Sequence, residues 1–344
     1  MALRLTPHRG VAWVPAQATG TAAYSAADPE LMAGGGPPVV AFGGNALLPD
    51  ARDPGAAAAQ AEGFAEAMLI LLPDDSGVVL VHGNGPQVGA LLLKNEAARS
   101  EVPASPLDVL VAETQGSIGY LLSRSLHNAL AARGRLVEVA TIVTQVVVDP
   151  DDPAMAMPTK PVGPFYAEED RDDLRAERGW EMVTVPGKGV RRVVPSPPPI
   201  DVVEIEAVAG AAANGRLVIA GGGGGIPVAR SDDGGLVGVE AVIDKDRTAA
   251  LIAIKLNARG FIILTEVDHV SLHFGTPEES PILEMSIDRA EELLAAAEFP
   301  PGSMGPKIES CIAYATATGR NALVTSVAAL GDALQGRDGT RVVP

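Results

Sequence analysis

The sequence predicts an α/β fold, an open three-layer αβα sandwich around a mainly parallel central sheet. Three observations carry this: short aliphatic runs without alternation, helix-length stretches between them, and glycine clusters where runs end. The runs are Val39–Phe42, Val78–Val81, Val137–Val143, Leu217–Ala220, Phe261–Thr265 and Ala322–Thr325. They are too short for helices and lack alternation, as strands buried on both faces do. Between them lie the helix-like stretches Ala56–Leu72, Gln87–Arg99, Gly116–Ala132, Arg247–Leu256, Asp288–Ala297 and Lys307–Thr318. Strand alternating with helix builds a layered sheet, and ligands bind such sheets beyond the carboxyl ends of the strands.

Composition narrows the function. Of 344 residues, 26 are Lys or Arg and 43 are Asp or Glu, a net charge of −17. That acidity argues against a nucleic-acid partner but leaves room for a small anion in a locally basic pocket. Aromatic residues are only 3%, so the core must be aliphatic. The lone cysteine, Cys311, excludes a disulfide framework and a Cys-based zinc site. No apolar run approaches the ~18–20 residues of a membrane helix, so a cytoplasmic protein with no membrane partner is expected.

Three segments follow from the pattern. Residues 1–36 are rich in Ala, Gly and Pro and read as a disordered tail. Met32 sits just before the first strand and is an expected alternative translation start, which N-terminal sequencing of native protein checks. Residues 37–214 form one half and residues 215–344 the other. Within the first half, residues 150–199 break the strand–helix rhythm with prolines, charges and the short β-like pieces Glu181–Val185 and Val190–Val194. Some fifty residues without a core helix are too long for a connection, so this is read as an inserted lid.

Three predicted strands end in glycine. Val39–Phe42 runs into Gly43-Gly44-Asn45, Val78–Val81 into His82-Gly83-Asn84-Gly85-Pro86, and Leu217–Ala220 into Gly221 through Gly225. Each is expected to lead into a helix. Without Cβ atoms, backbone N–H groups can close on an anion, and a helix N-terminus adds a favourable dipole. Neither a G-x-x-x-x-G-K-[ST] loop nor a dinucleotide G-x-G-x-x-G with its distal acid is present.

Only six basic residues are lysine, and two of those sit at predicted helix starts: Lys245 in Asp244-Lys245-Asp246 and Lys307 in Gly302-Ser303-Met304-Gly305-Pro306-Lys307. The helix dipole disfavours cations there, so the placement makes sense if both converge on a polyanion, with Asp246 orienting and balancing them. A third, Lys160, lies among the prolines and aromatics of the lid.

In order along the chain, these motifs resemble carbamate kinases, a branch of the amino acid kinase family. The resemblance runs from about Val39 to the C-terminus. It is carried by Gly43–Leu47, His82–Gly89, Gln115–Tyr120, Thr144–Asp149, Pro158–Tyr166, Arg191–Pro197, Gly222–Pro227, Gly238–Asp246 and Gly302–Lys307. It implies reversible phosphoryl transfer, ATP + carbamate = ADP + carbamoyl phosphate, run toward ATP in arginine or other nitrogen catabolism. It also implies Mg²⁺ carried by the nucleotide, no resident metal site, and a homodimer. By the family pattern, Gly43, Gly44, Asn45, Gly83, Asn84 and Gly85 hold carbamate or carbamoyl phosphate. Gly222, Gly223, Lys245, Met304 and Lys307 hold ATP or ADP, and Lys160, Lys245, Asp246 and Lys307 are catalytic. The two halves are thereby the carbamate and the nucleotide halves.

The residues fit that chemistry. Carbamate is already an anionic oxygen nucleophile and needs no general base, whereas phosphoryl transfer needs alignment and charge neutralisation. Two other readings compete: another amino acid kinase, and a non-catalytic sensor of carbamoyl phosphate or ADP. The first is disfavoured because Val40-Ala41-Phe42-Gly43 lacks the lysine that related kinases carry there; the second, because all four catalytic positions are filled. Glu266, where the family has Asp or a smaller residue, is expected to face solvent. His82 is expected to pack or bond within its turn, and Cys311 to be a buried small hydrophobe. Leu121, Leu122, Leu126 and Leu130 are expected to bury one helix face in the core or a dimer interface.

Overall fold

The computed structural model describes residues 34–43, 64, 67–71, 77–300 and 302–344. Residues 1–33, and with them the tail and Met32, lie outside the described residues, as do Gly44 and Asn45. The described chain opens on residues 34–36. Gly36 hydrogen-bonds to Asn257 O at 2.8 Å and accepts from Arg259 N at 3.1 Å. A Cβ on Gly36 would stand 2.2 Å from Leu256 O, so only glycine lets the chain enter the first strand there.

The elements in chain order begin with β1 (Val39–Phe42), β2 (Val78–His82), α1 (Gly85–Ala98), α2 (Leu107–Ala132), β3 (Val139–Thr141) and β4 (Gln145–Val148). The inserted segment supplies β5 (Lys160–Tyr166), α3 (Arg171–Arg178), β6 (Glu181–Val185) and β7 (Gly189–Val194), followed by β8 (Pro199–Val202). Next come α4 (Ile205–Ala213), β9 (Leu217–Ile219), β10 (Ile226–Arg230), β11 (Leu236–Gly238), α5 (Lys245–Lys255), β12 (Phe261–Thr265), β13 (Val270–Leu272), β14 (Ser280–Ile282) and β15 (Glu284–Ser286). The chain closes with α6 (Ile287–Ala295), α7 (Met304–Thr318), β16 (Ala322–Ser326), α8 (Leu330–Ala333) and β17 (Thr340–Val343).

The main sheet has eight strands in the order β15-β17-β16-β12-β1-β2-β9-β3, and β16–β17 is its antiparallel pair. Its central strands β1, β2, β9 and β12 are almost wholly apolar because both faces are covered, whereas the edge strand β15 reads Glu284-Met285-Ser286. Val39, Ala41, Val79, Val81, Phe261 and Ile263 point into one core with α5 and α7. Val40, Phe42, Leu80, Ile262 and Leu264 point into the other with α2 and Met68. This is the expected three-layer sandwich. On α2, Leu122, Leu126 and Leu130 are buried as expected, while Leu121 stays 36% exposed because it falls off the stripe that faces the sheet.

The inserted segment folds as an antiparallel sheet, β5-β7-β6, with the exposed helix α3 beside it. It docks through a small apolar cluster in which Val162 and Val194 meet Val88, Leu92 and Leu107. Arg192 stacks on Trp180 with its guanidinium carbon 4.7 Å from the ring centroid and pairs with Glu240 at 2.6 Å. A further sheet has the order β11-β10-β4-β8, and it joins β4 and β8, which flank the inserted segment, to β10 and β11 from later in the chain.

Candidate active site

Strand order reverses at β1. From β1 the sheet grows through β2 to β9 on one side, and through β12 to β16 on the other. A crevice forms beyond the strand ends at such a switch point. A cavity of about 450 Å³ lies there, lined by Gly43 after β1, Gly83–Gly85 after β2, and Thr265 and Glu266 at the end of β12. Its remaining wall brings Lys160 from the lid together with Asp244, Lys245 and Asp246 at the start of α5, and Gly302, Ser303 and Lys307 around the start of α7.

The glycine loops are packed against each other. Gly223 has φ +69° and sits so close to Asn84 that a Cβ would stand 2.2 Å from its Nδ2. Gly224, at φ +94°, would put a Cβ 2.0 Å from Ile243 O. Both positions therefore demand glycine, in conformation and in space. The third glycine cluster does not lead into a helix as expected. It makes a three-residue turn, Gly222–Gly224, and then enters β10, because the positive φ values of Gly223 to Gly225 turn the backbone away from a helical path. Gly223 lines the cavity; Gly222 lies behind it, against His82 and Gln115.

Side chains from α2 fix these loops. Asn84 Nδ2 donates to Thr114 Oγ1 at 2.9 Å. Gln115 accepts from Thr144 N at 2.7 Å and donates to Thr144 O at 3.1 Å and Gly222 O at 2.9 Å. Thr144 Oγ1 accepts from Gly221 N, and Thr248 Oγ1 donates to Gly224 O. Gln115 and Thr144 open two of the motifs that carry the resemblance, but no contact was expected of them; Thr114 and Thr248 carried no expectation at all, and all four are polar groups in buried positions that must be hydrogen-bonded. His82 is buried, its Nδ1 3.0 Å from Gly83 O, as expected for a residue bonded within its own turn.

The charged wall is a set of shared ion pairs. Asp246 Oδ2 accepts from Lys307 Nζ at 2.7 Å and Lys245 Nζ at 3.0 Å. Asp244 caps α5, its Oδ1 accepting from Asp246 N at 2.9 Å, while its Oδ2 accepts from Lys160 Nζ at 2.8 Å. Burial pushes the Asp244 carboxyl up, but Lys160 and Lys245 outweigh it and hold the pKa at about 2. Burial also pulls the Lys245 ammonium down, yet Asp246 and Asp244 carry it above the ordinary lysine value. At Lys307 burial prevails over the attraction of Asp246, with Lys245 adding repulsion, so its pKa lies below that value.

The structure thus brings Gly43, Gly83, Asn84, Gly85, Lys160, Gly223, Lys245, Asp246 and Lys307 to one cavity. Met304, half-buried, is not among the residues lining the cavity and packs against the core that α5 and α7 share. Glu266 is exposed but at the cavity rim, which amends the expectation of a plain solvent-facing residue. Asp244, to which the sequence assigned no role, also lines the cavity. Among the described residues no three His, Cys, Asp or Glu side chains converge as a metal cage.

The family model described as "Amino acid kinase family" matches residues 37–326. The chain is 43% identical over 313 residues to a carbamate kinase of Trichomonas vaginalis, covering 89% of this chain and 99% of that one. It is 44% identical over 315 residues to a carbamate kinase of Halobacterium salinarum, covering 89% and 98%. Among solved structures, the carbamate kinase from Giardia lamblia bound to AMP-PNP superposes with a TM-score of 0.84 at 39% identity, over 90% of this chain and 98% of that one.

Proposed function

The chain belongs to the amino acid kinase family, and within it to the carbamate kinases; on that premise we propose that its cavity moves a phosphoryl group reversibly between ATP and carbamate. One observation carries the reading. Lys160, Lys245 and Lys307, from three separate elements, line the cavity into which two glycine loops and the start of α1 also face. That array suits a group whose charge spreads over equatorial oxygens during transfer.

In the direction of ATP synthesis, a β-phosphate oxygen of ADP attacks the phosphorus of carbamoyl phosphate. The bond to the carbamate oxygen breaks, and carbamate leaves as an anion. No proton needs to move at the reacting oxygens, so the neutral, buried His82 has no acid–base task. Gly43 and the N–H groups of Gly83 to Gly85 are proposed to hold the carbamoyl end. Lys245 and Lys307 neutralise the transferring group and the nucleotide phosphates, and Asp246 keeps both ammonium groups aimed. Lys160 reaches the same group from the lid.

Mg²⁺ is proposed to arrive on the nucleotide. The donors fit that: Asp244 and Asp246 are committed to lysines, while Glu266 has no ion partner among the described residues and would hold one of the cation's waters. Bound there, it would offset the charge of the nucleotide phosphates. We propose a homodimer as well, supported by the exposed Leu93, Tyr120 and Leu121 on α1 and α2; a monomer in sedimentation at micromolar concentration overturns it. No described helix is long and apolar enough to cross a membrane, which supports a cytoplasmic enzyme.

The test of activity is a coupled assay for ATP formed from carbamoyl phosphate and ADP with Mg²⁺. ATP must appear faster than carbamoyl phosphate breaks down spontaneously. No excess over that background overturns the reading.

A further inference from the structure

Asp244 has two jobs at once. Its Oδ1 accepts from the Asp246 backbone N–H and so fixes the first turn of α5, the turn that carries Lys245 and Asp246. Its Oδ2 accepts from Lys160 Nζ at 2.8 Å, across 84 residues of sequence and from the separate lid sheet. We propose that Asp244 is a positioning residue that ties lid closure to the geometry of the Lys245–Asp246–Lys307 cluster. This rests on the phosphoryl-transfer reading of the cavity.

The geometry favours positioning over sequestration. An ammonium group has three N–H donors, and one goes to Asp244. Lys160 keeps 30% of its side chain exposed and lines the cavity, so its other donors stay available to an anion. Asp244 is only 12% exposed and already holds the cap, so it cannot swing away without unmaking the first turn of α5. The lid's other anchors, Arg178–Glu96 and Arg192–Glu240, lie outside the residues lining the cavity. They hold the lid down; the Lys160–Asp244 pair sets where its ammonium sits.

The two jobs separate by mutation. Asp244→Asn and Asp244→Ser both keep a capping oxygen but lose the carboxylate charge. Their melting temperatures should fall alike, by no more than the lost attraction of Lys160 and Lys245 accounts for, while kcat/KM for carbamoyl phosphate falls about ten- to a hundredfold, the scale on which misplacing a reacting group is felt. Lys160→Met should cost a similar factor. If the pair acts as one unit, Lys160→Met added to Asp244→Asn lowers kcat/KM by less than about threefold more. Losses that multiply in the double variant, or capping variants within twofold of the parent, overturn the proposal.

A second measurement is independent of the reaction. Hydrogen exchange in β5 and β7 should be faster in Asp244→Asn than in the parent with no substrate present, and unchanged exchange overturns the coupling. If Asp244→Asn does not fold, Lys160→Gln is measured in the same way, with faster exchange in the first turn of α5 expected and unchanged exchange overturning the coupling. A parent protein that makes no ATP sinks the activity reading, whereas the exchange result speaks to the coupling alone.

Discussion

Lys307 donates to the same Asp246 oxygen as Lys245, at 2.7 Å against 3.0 Å, and Asp246 is only 2% exposed. A buried carboxylate shared by two ammonium groups leaves the trio with one net positive charge in a confined space. An arriving phosphoryl group completes the neutralisation. Because that charge is used most when the group is between donor and acceptor, Lys245→Ala and Lys307→Ala should each lower kcat more than they raise KM. A loss of ~10²–10³-fold in kcat is the scale for removing one such donor. Steady-state kinetics in both directions check it, and an unchanged kcat in both variants removes them from the mechanism.

The same trio sets a pH dependence. The Lys307 pKa lies below the ordinary lysine value because burial outweighs the pull of Asp246. Asp246→Asn removes the main upward pull and leaves burial and Lys245 opposed only by the smaller attraction of Asp244, so the pKa falls further. If protonated Lys307 is required, the alkaline limb of kcat/KM moves to lower pH in Asp246→Asn. A limb at the parental pH shows that Lys307 does not govern it.

Gly223 touches both function and folding. Alanine there must place a Cβ 2.2 Å from Asn84 Nδ2 at a φ of +69°. The Asn84–Thr114 hydrogen bond would give way, and the start of α1 with it. Left-handed strain at a non-glycine residue costs about 1–3 kcal/mol before any clash is counted. Gly223→Ala should therefore lower stability and raise KM for carbamoyl phosphate together, whereas Gly85→Ala, with open space around it, should be far milder in stability. Denaturant unfolding beside kinetics reads both, and equal stability loss in the two variants contradicts the packing account.

The sheet was legible because burial on both faces leaves uniformly apolar runs, and Val39–Phe42 and Phe261–Thr265 match observed strands end to end. Within the inserted segment, β6 and β7 were legible as short β-like pieces set off by turn residues. Tight turns were less so. Nothing local in Gly221 through Gly225 distinguishes a helix start from the turn into β10; the difference lies in contacts with Asn84 and Ile243, far away in sequence. Asp244 reads locally as an ordinary helix cap, which it is. Its second partner, Lys160, is 84 residues away and visible only once the lid is docked. Gln115 stood in a family motif, but its role did not show, since its hydrogen bonds among the described residues go to backbone atoms that no side-chain pattern reveals.

Cys311 lies on α7 one turn beyond Lys307 and is fully buried. Burial raises its thiol pKa, and the nearby Asp246 carboxylate adds to the rise. Thiolate is the reactive form, so the folded protein should resist thiol reagents at neutral pH. The expected result is no thiol titrated in the native state, one after denaturation, and full activity after prolonged exposure to an alkylating reagent. Rapid inactivation of the folded enzyme, with Cys311 modified, contradicts that environment.

His82 gives the fold an acid-side weakness of its own. Its ring is almost fully buried between the strand end and Gly222, and its Nε2 has no hydrogen-bond partner among the described residues. Burial pushes the pKa down to about 4 from 6.5, against a smaller upward pull from its bond to Gly83 O. Between those values the unfolded chain holds a proton at His82 that the folded chain refuses. Stability from this residue is therefore complete above pH 6.5 and is lost as pH falls toward 4. At ~1.4 kcal/mol per pKa unit, the loss approaches about 3 kcal/mol. Asp244 then adds a separate loss, because its carboxylate is stabilised above its unfolded pKa of 3.8 and that benefit disappears as pH drops to about 2. Urea unfolding of the parent and of His82→Gln at pH 7, 5.5 and 4.5 isolates the histidine: whatever the variant's starting stability, its decline across this range should be shallower by most of those 3 kcal/mol. Parallel declines would mean that another group takes up the proton.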